Sequence, residues 1–281
     1  ADTFTVSFAS EADVSGVSLV NSFNTVLVFV FTALSSGGAV IISQYVGRGD
    51  GRRAERSAGQ LLMISVLISA ALTALILAFH SQLLILLFGR VEAQVMAASR
   101  SYLLITTCSI PALAVYDVGA ALCRSIGKAG ATMYISTAAN LVNIIGNCVG
   151  VFVLHLGAEG VAWPSLFSRI LSAAAVTVYC ARQGNAVRYR FPDIFSWDGS
   201  LLKKIMGVAL PNGLENGVHQ LVKVGLSSMV ALFGTYQIAA NGLAQSIWSL
   251  ASIMGLAMAP ADDGSIGRCH GHPHDGRPGP D

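Results

Sequence analysis

An all-α bundle of membrane-spanning helices is the fold class this sequence predicts, and three observations predict it. Of 281 residues, 53% are hydrophobic and only 11% charged, against about 25% charged in a typical soluble domain. Long unalternating apolar blocks recur along the chain, each near the ~20 residues a helix needs to cross ~30 Å of hydrocarbon. The basic residues of the loops are concentrated in alternate connections. With 17 Lys+Arg against 15 Asp+Glu, nothing in the total charge points to nucleic acid.

Seven spans are expected, at 14–46, 57–79, 93–122, 131–155, 159–181, 203–232 and 236–260. A membrane β-barrel would show ~10-residue alternating runs instead. The first span covers about 50 Å as a helix, longer than the hydrocarbon is thick. Its outer part carries Ser15, Ser18, Asn21, Ser22, Asn24 and Thr25, which either line a wet cavity or emerge into the interface. Pro111 and Pro164 predict kinks in the third and fifth spans.

The loops set the orientation. Arg48, Arg52, Arg53 and Arg56 follow the first span, Arg124 and Lys128 the third, and Arg182, Arg188, Arg190, Lys203 and Lys204 the fifth; the alternate connections offer Arg90 and Arg100. Eleven against two places the odd-numbered loops in the cytoplasm of a multi-pass protein of the inner (cytoplasmic) membrane. Residue 1 then lies outside, which leads us to expect a first helix of which residues 1–9 are the outer end. The domains expected are a lobe over 1–181, a cytoplasmic linker over 182–202 with its aromatics at the membrane interface, a partial second lobe over 203–260, and a disordered tail over 261–281. Cys269, His270, His272 and His274 in that tail lack a packed setting, so no metal site is expected there. Cys108, Cys123, Cys148 and Cys180 read as small buried hydrophobes.

An internal repeat at an offset of 224 pairs Leu19 with Leu243, Ser22 with Ser246, Ala33 with Ala257, Ile42 with Ile266 and Gly47 with Gly271. Parallel repeats are one way of building a transporter around a central site. With ADT at 1–3, SQYVGRGD at 43–50, CRSIGKAG at 123–130, NIIGN at 143–147, LGAEGVAW at 156–163 and LPNGLEN at 210–216, the chain resembles the multidrug and toxic compound extrusion (MATE) family over about residues 1–260. The resemblance implies twelve helices in two six-helix lobes, the second incomplete here. It also implies export of small cationic or amphipathic compounds in exchange for Na+ or H+; no other cofactor and a monomer are expected. Arg268 and His270 depart from the family pattern, so the chain is expected to be a fragment truncated at both ends. A lipid-linked oligosaccharide flippase and a non-functional truncated product are the alternatives. A membrane enzyme is not expected, because the ordered loops hold no His, Asp or Cys cluster.

The candidate cavity residues are few. Asp2 matches the family's first-helix acidic residue, whose implied role is to bind the coupling cation or proton. Asn143 and Asn147, four apart, share one helix face; their amide oxygens can coordinate a cation, or they can form an interhelical hydrogen bond. They match a pair of asparagines in one branch of the family, while another branch has Asp at the second position, which leaves Na+ and H+ both open. Glu215, His219 and Lys223 recur every four residues as a polar stripe facing the bundle interior, after Pro211 and Gly213. Either Glu215 or the position of His219 corresponds to the family's seventh-helix acidic residue, or Glu215 pairs with Lys223 through His219. Asp117 is positioned to pair with a basic loop residue, and Arg169 to snorkel or to pair internally.

Overall fold

The structure, a computed structural model, describes residues 11–88, 93–182, 187, 189 and 198–231. The expected span at 236–260, the tail and residues 1–9 lie outside the described residues. Within them the chain is helical, in the order α1 (Glu11–Gly47), α2 (Gly51–Phe88), α3 (Ala93–Thr107), α4 (Ile110–Ser125), α5 (Ala129–Cys148), α6 (Glu159–Ala181) and α7 (Gly199–Ala231). A π-helical turn, Val149–Val153, prolongs α5. Asp13–Gly47, Gly51–Ile85, Ala129–Val153 and Glu159–Ala181 are each long and apolar enough to cross a membrane. Gln94–Thr107 and Ile110–Ser125 make a fifth, bent span. The helix expected at 203–232 is present as α7, but Lys203, Lys204, Asn212, Glu215 and Asn216 keep it below that level of apolarity.

Proline chemistry explains the main departure from the expected spans. The third span, 93–122, is two helices bent by 46° at Cys108–Ser109. Pro111 has no N–H, so the Thr107 carbonyl four residues earlier loses its helical donor. That carbonyl instead accepts from Thr73 Oγ1 at 3.5 Å, on a neighbouring helix. Pro164 removes the donor for Gly160 in the same way, yet α6 runs on unbroken through it. The second span ends in apolar composition at Phe79, where the backbone leaves helical geometry (φ −112°, ψ 17°), and the helix resumes to Phe88.

The turns at the basic end follow directly from the motifs there. In SQYVGRGD, Gly49 takes φ +72°, letting the Asp50 N–H reach the Tyr45 carbonyl at 3.0 Å. Asp50 Oδ1 then caps α2 by accepting from the Arg53 N–H at 3.1 Å. Arg56 on α2 reaches Asp198 at 3.4 Å, and Asp198 accepts from the Leu201 N–H at the start of α7. The Ser200 hydroxyl and backbone bonds, with Arg56 beside them, hold the Asp198 carboxyl below the usual aspartate range.

Two apolar clusters hold the bundle. One, toward the basic end, gathers Ile42, Leu61, Leu122, Val176 and Ile205; the other gathers Val17, Phe31, Tyr102, Ile110 and Val161. Val187 and Tyr189 belong to the first, so Tyr189 is buried in the bundle rather than resting at the interface. Burial pushes its phenol well above the usual tyrosine range. Cys123 and Cys180 are buried as expected, their sulfurs 3.7 Å apart, but Cys108 and Cys148 are exposed. Large exposed apolar side chains on α5 and its π-helical extension, including Met133, Leu141, Ile145 and Val153, suit a lipid-facing surface.

Candidate functional site

The α5–α6 hairpin is the tightest crossing in the site region, and glycine sets its closeness. Gly146 and Gly150 on one side face Pro164 and Gly160 on the other. A Cβ at Gly146 would lie 2.6 Å from Pro164 Cβ, and one at Gly150 would collide with the Gly160 carbonyl oxygen. That carbonyl is the one Pro164 leaves without a helical donor, and only a glycine lets a neighbouring backbone approach it so closely.

This register places the predicted asparagines against α6. Asn143 Nδ2 donates to Ser165 Oγ at 2.9 Å, and Asn147 Nδ2 donates to Asn143 Oδ1 at 3.3 Å, with Asn147 fully buried. The three form one polar relay inside two membrane-spanning helices. Beside it lies a cavity of about 300 Å³ between α4, α5 and α6, lined by Ser136, Asn140 and Asn143 and by Ser165, Ser168 and Arg169. The amide and hydroxyl oxygens of the relay can hold a desolvated cation or an ordered water, while the cavity beside it carries the Arg169 guanidinium.

Of the charged groups deeper in the helices, Arg169 takes the internal one of its two expected roles and Asp117 departs from expectation. Arg169 does not reach for an interface: its Nη1 donates to Ser109 Oγ at 2.8 Å, at the bend made by Pro111. Among the described residues Asp117 makes no ion pair with the basic loop, and its Oδ2 has no hydrogen-bond partner.

The remaining candidates are placed as follows. Asp2 lies outside the described residues. Glu215 is exposed on α7, and His219 and Lys223 follow it on that helix, their side chains outside what the structure describes. α7 packs mainly on α1 and α2, whereas the main neighbours of α5 are α6 and α4, so the asparagine pair and the α7 stripe belong to different helix groups. On α1 the polar residues divide. Asn21 Oδ1 accepts from Tyr102 Oη at 3.1 Å and Asn24 Nδ2 donates to Thr106 Oγ1 at 3.5 Å, so these two tie α1 to α3, while Ser15, Ser18, Ser22 and Thr25 stay exposed on one face.

Sequence reasoning missed Ser165 and the contact between α1 and α7. There, Asn212 Nδ2 donates to Ser36 Oγ, and a Cβ at Gly37 would lie 2.7 Å from the Ala209 backbone. The small residues Ala33, Ser36 and Gly37 opposite Ala209, Asn212 and Gly213 were the available signal.

A polytopic helical bundle with a hydrogen-bonded polar cavity between membrane-spanning helices is an architecture that membrane transporters use. The MatE family model matches residues 1–149, more than half of the sequence, and the chain belongs to that family. Among curated proteins it is similar to the uncharacterized transporter YisQ of Bacillus subtilis (24% identical, covering 95% of this chain and 59% of YisQ). It is also similar to the probable multidrug resistance protein NorM of Thermotoga maritima (22%, 96% and 58%) and that of Rhizobium meliloti (28%, 87% and 53%). Among solved structures, a MATE protein in the bent conformation matches with a TM-score of 0.89 at 21% identity, over 96% of this chain and 60% of that one. An outward-facing multidrug resistance MATE family transporter matches with a TM-score of 0.86 at 21% identity, over the same shares. The chain thus spans between half and three fifths of the length of these proteins.

Proposed function

We propose that this chain forms the ion-coupling part of a secondary antiporter of the inner membrane, one that exports small cationic or amphipathic compounds by alternating access. The observation that carries the reading is the Asn147–Asn143–Ser165 relay beside a polar cavity, because polar groups inside membrane-spanning helices are costly unless they serve a ligand or one another. Entry of Na+ or H+ would exchange the amide–hydroxyl hydrogen bonds for ion contacts. An ion can shift the equilibrium between two conformations only as far as it binds one better than the other, and a relay that must open to accept it supplies that difference. The exposed hydroxyl face of α1 and the stripe on α7 would border the substrate path. The small-residue contact between α1 and α7 would be the surface on which the two lobes move.

Two measurements test this reading. Purified chain should gain thermal stability with Na+ but not with K+ if Na+ is the coupling ion, or show a pH-dependent dye affinity if H+ is, and Asn143→Ala with Asn147→Ala should remove the response. Cells making the protein should accumulate less ethidium, and Asp2→Asn should abolish that difference while the protein remains in the membrane. Undiminished efflux in Asp2→Asn would refute the role given to Asp2; an ion response that survives loss of both asparagines would refute the relay.

A further inference from the structure

A guanidinium inside a membrane-spanning helix is expensive, and Arg169 is not accounted for by the relay. It sits on α6 one turn beyond Ser165 and lines the same cavity. One of its N–H groups is used on Ser109 Oγ. Arg169 takes part in no ion pair among the described residues. Asp117 makes no ion pair with Arg169, and its buried Oδ2 accepts no hydrogen bond among the described residues. Around it the lining is neutral and rich in hydroxyls and amides, from Ser136, Asn140, Ser168 and Ser172. A permanent cation with spare donors, in a polar cavity of about 300 Å³, is complementary to an oxyanion.

We propose that the cavity between α4, α5 and α6 is an anion-recognising subsite in which Arg169 holds the carboxylate or similar oxyanion of an amphipathic ligand. Ser109 takes one guanidinium donor at the Pro111 bend and so steadies a side chain that lines the cavity. The inference deepens the exporter reading and rests on it for the amphipathic character of the ligand. It narrows that class to compounds carrying an acidic group, zwitterions included. A lipid phosphate would offer the same chemistry from another source.

The test uses two dyes that differ only in the acidic group: tetramethylrhodamine, a zwitterion, and its methyl ester, a cation. Binding to the purified full chain in neutral detergent is followed by fluorescence anisotropy. Wild type should bind the free acid about tenfold or more tightly than the ester, the range of a charge-assisted hydrogen bond. Arg169→Gln should lose that preference while keeping its affinity for the ester, which doubles as a check that the variant is folded. Arg169→Lys should keep part of the preference and serves should the glutamine variant not fold. Displacement of the free acid by phosphatidylglycerol, in wild type and not in Arg169→Gln, would identify a lipid headgroup as an occupant of the same anion site. Equal affinity for the two dyes in wild type, or an unchanged preference in Arg169→Gln, would overturn the proposal and leave the exporter reading standing. Binding of neither dye would count against both.

Discussion

Replacing Gly146 with Ala tests the packing on which the whole site depends. The added Cβ would stand 2.6 Å from Pro164 Cβ and 3.0 Å from its Cγ, whereas ordinary contact begins at 3.4 Å. The helices must therefore part by about 0.8 Å at this crossing, since neither a proline ring nor a helix backbone can swing aside, and overpacking of this kind costs roughly 1–3 kcal/mol. The same displacement would carry Asn143 Nδ2 from 2.9 Å to about 3.7 Å from Ser165 Oγ, past hydrogen-bonding distance. An interhelical hydrogen bond in a membrane adds about 0.6 kcal/mol to that loss. The control is Gly130→Ala at the start of α5, where a Cβ meets nothing within 4 Å and helix propensity favours Ala by up to ~1 kcal/mol. Unfolding the purified chain with rising mole fractions of SDS in dodecyl maltoside, followed by far-UV circular dichroism, reads both variants against wild type. Gly146→Ala should be clearly destabilised and Gly130→Ala neutral or stabilised. Equal stability of the two variants would refute the argument that close approach at Gly146 sets the register of the site.

Three further outcomes follow from other parts of the structure. Asp198 has its carboxyl held below the usual range, so its contribution is present above the ordinary aspartate pKa and disappears as pH falls through the depressed one. Asp198→Asn should therefore melt below wild type at pH 7, with the gap closing under pH 3.8; a gap that persists in acid would contradict the ion-pair and capping role. Tyr189→Phe should be neutral or stabilising, by up to about 1 kcal/mol in SDS unfolding, because its hydroxyl is buried without a partner among the described residues. Marked destabilisation would mean that the hydroxyl is bonded. Ser36→Cys with Asn212→Cys, in a background cleared of native cysteines, should cross-link readily under mild oxidation and shift the chain's mobility on a non-reducing gel; failure to do so would place α7 elsewhere than against α1.

How much of this was legible in the sequence depends on which physical rule governed each feature. The spans were legible because the bilayer demands a fixed length of apolar helix, so the block at 159–181 is found as Glu159–Ala181. The bend at Cys108–Ser109 was half legible: Pro111 announces a lost hydrogen bond, but not whether the helix breaks. The Thr107 carbonyl accepts from a hydroxyl on α2 where the helix breaks, whereas Gly160, one residue into α6, lies close against Gly150 and the helix continues. Asn143 and Asn147 were legible as a pair, because four-residue spacing puts them on one face. Their partner Ser165 was not, because nothing in periodicity reports which turn of the next helix comes alongside. That information was present in the sequence in another form, as Gly146-Asn147-Cys148-Val149-Gly150 opposite Gly160 and Pro164. Small residues four apart specify a close crossing, a close crossing specifies register, and register decides that Asn143 meets a serine and shares a cavity with Arg169. The glycines of the hairpin are in this sense residues of the site, although none of them can touch a ligand with a side chain.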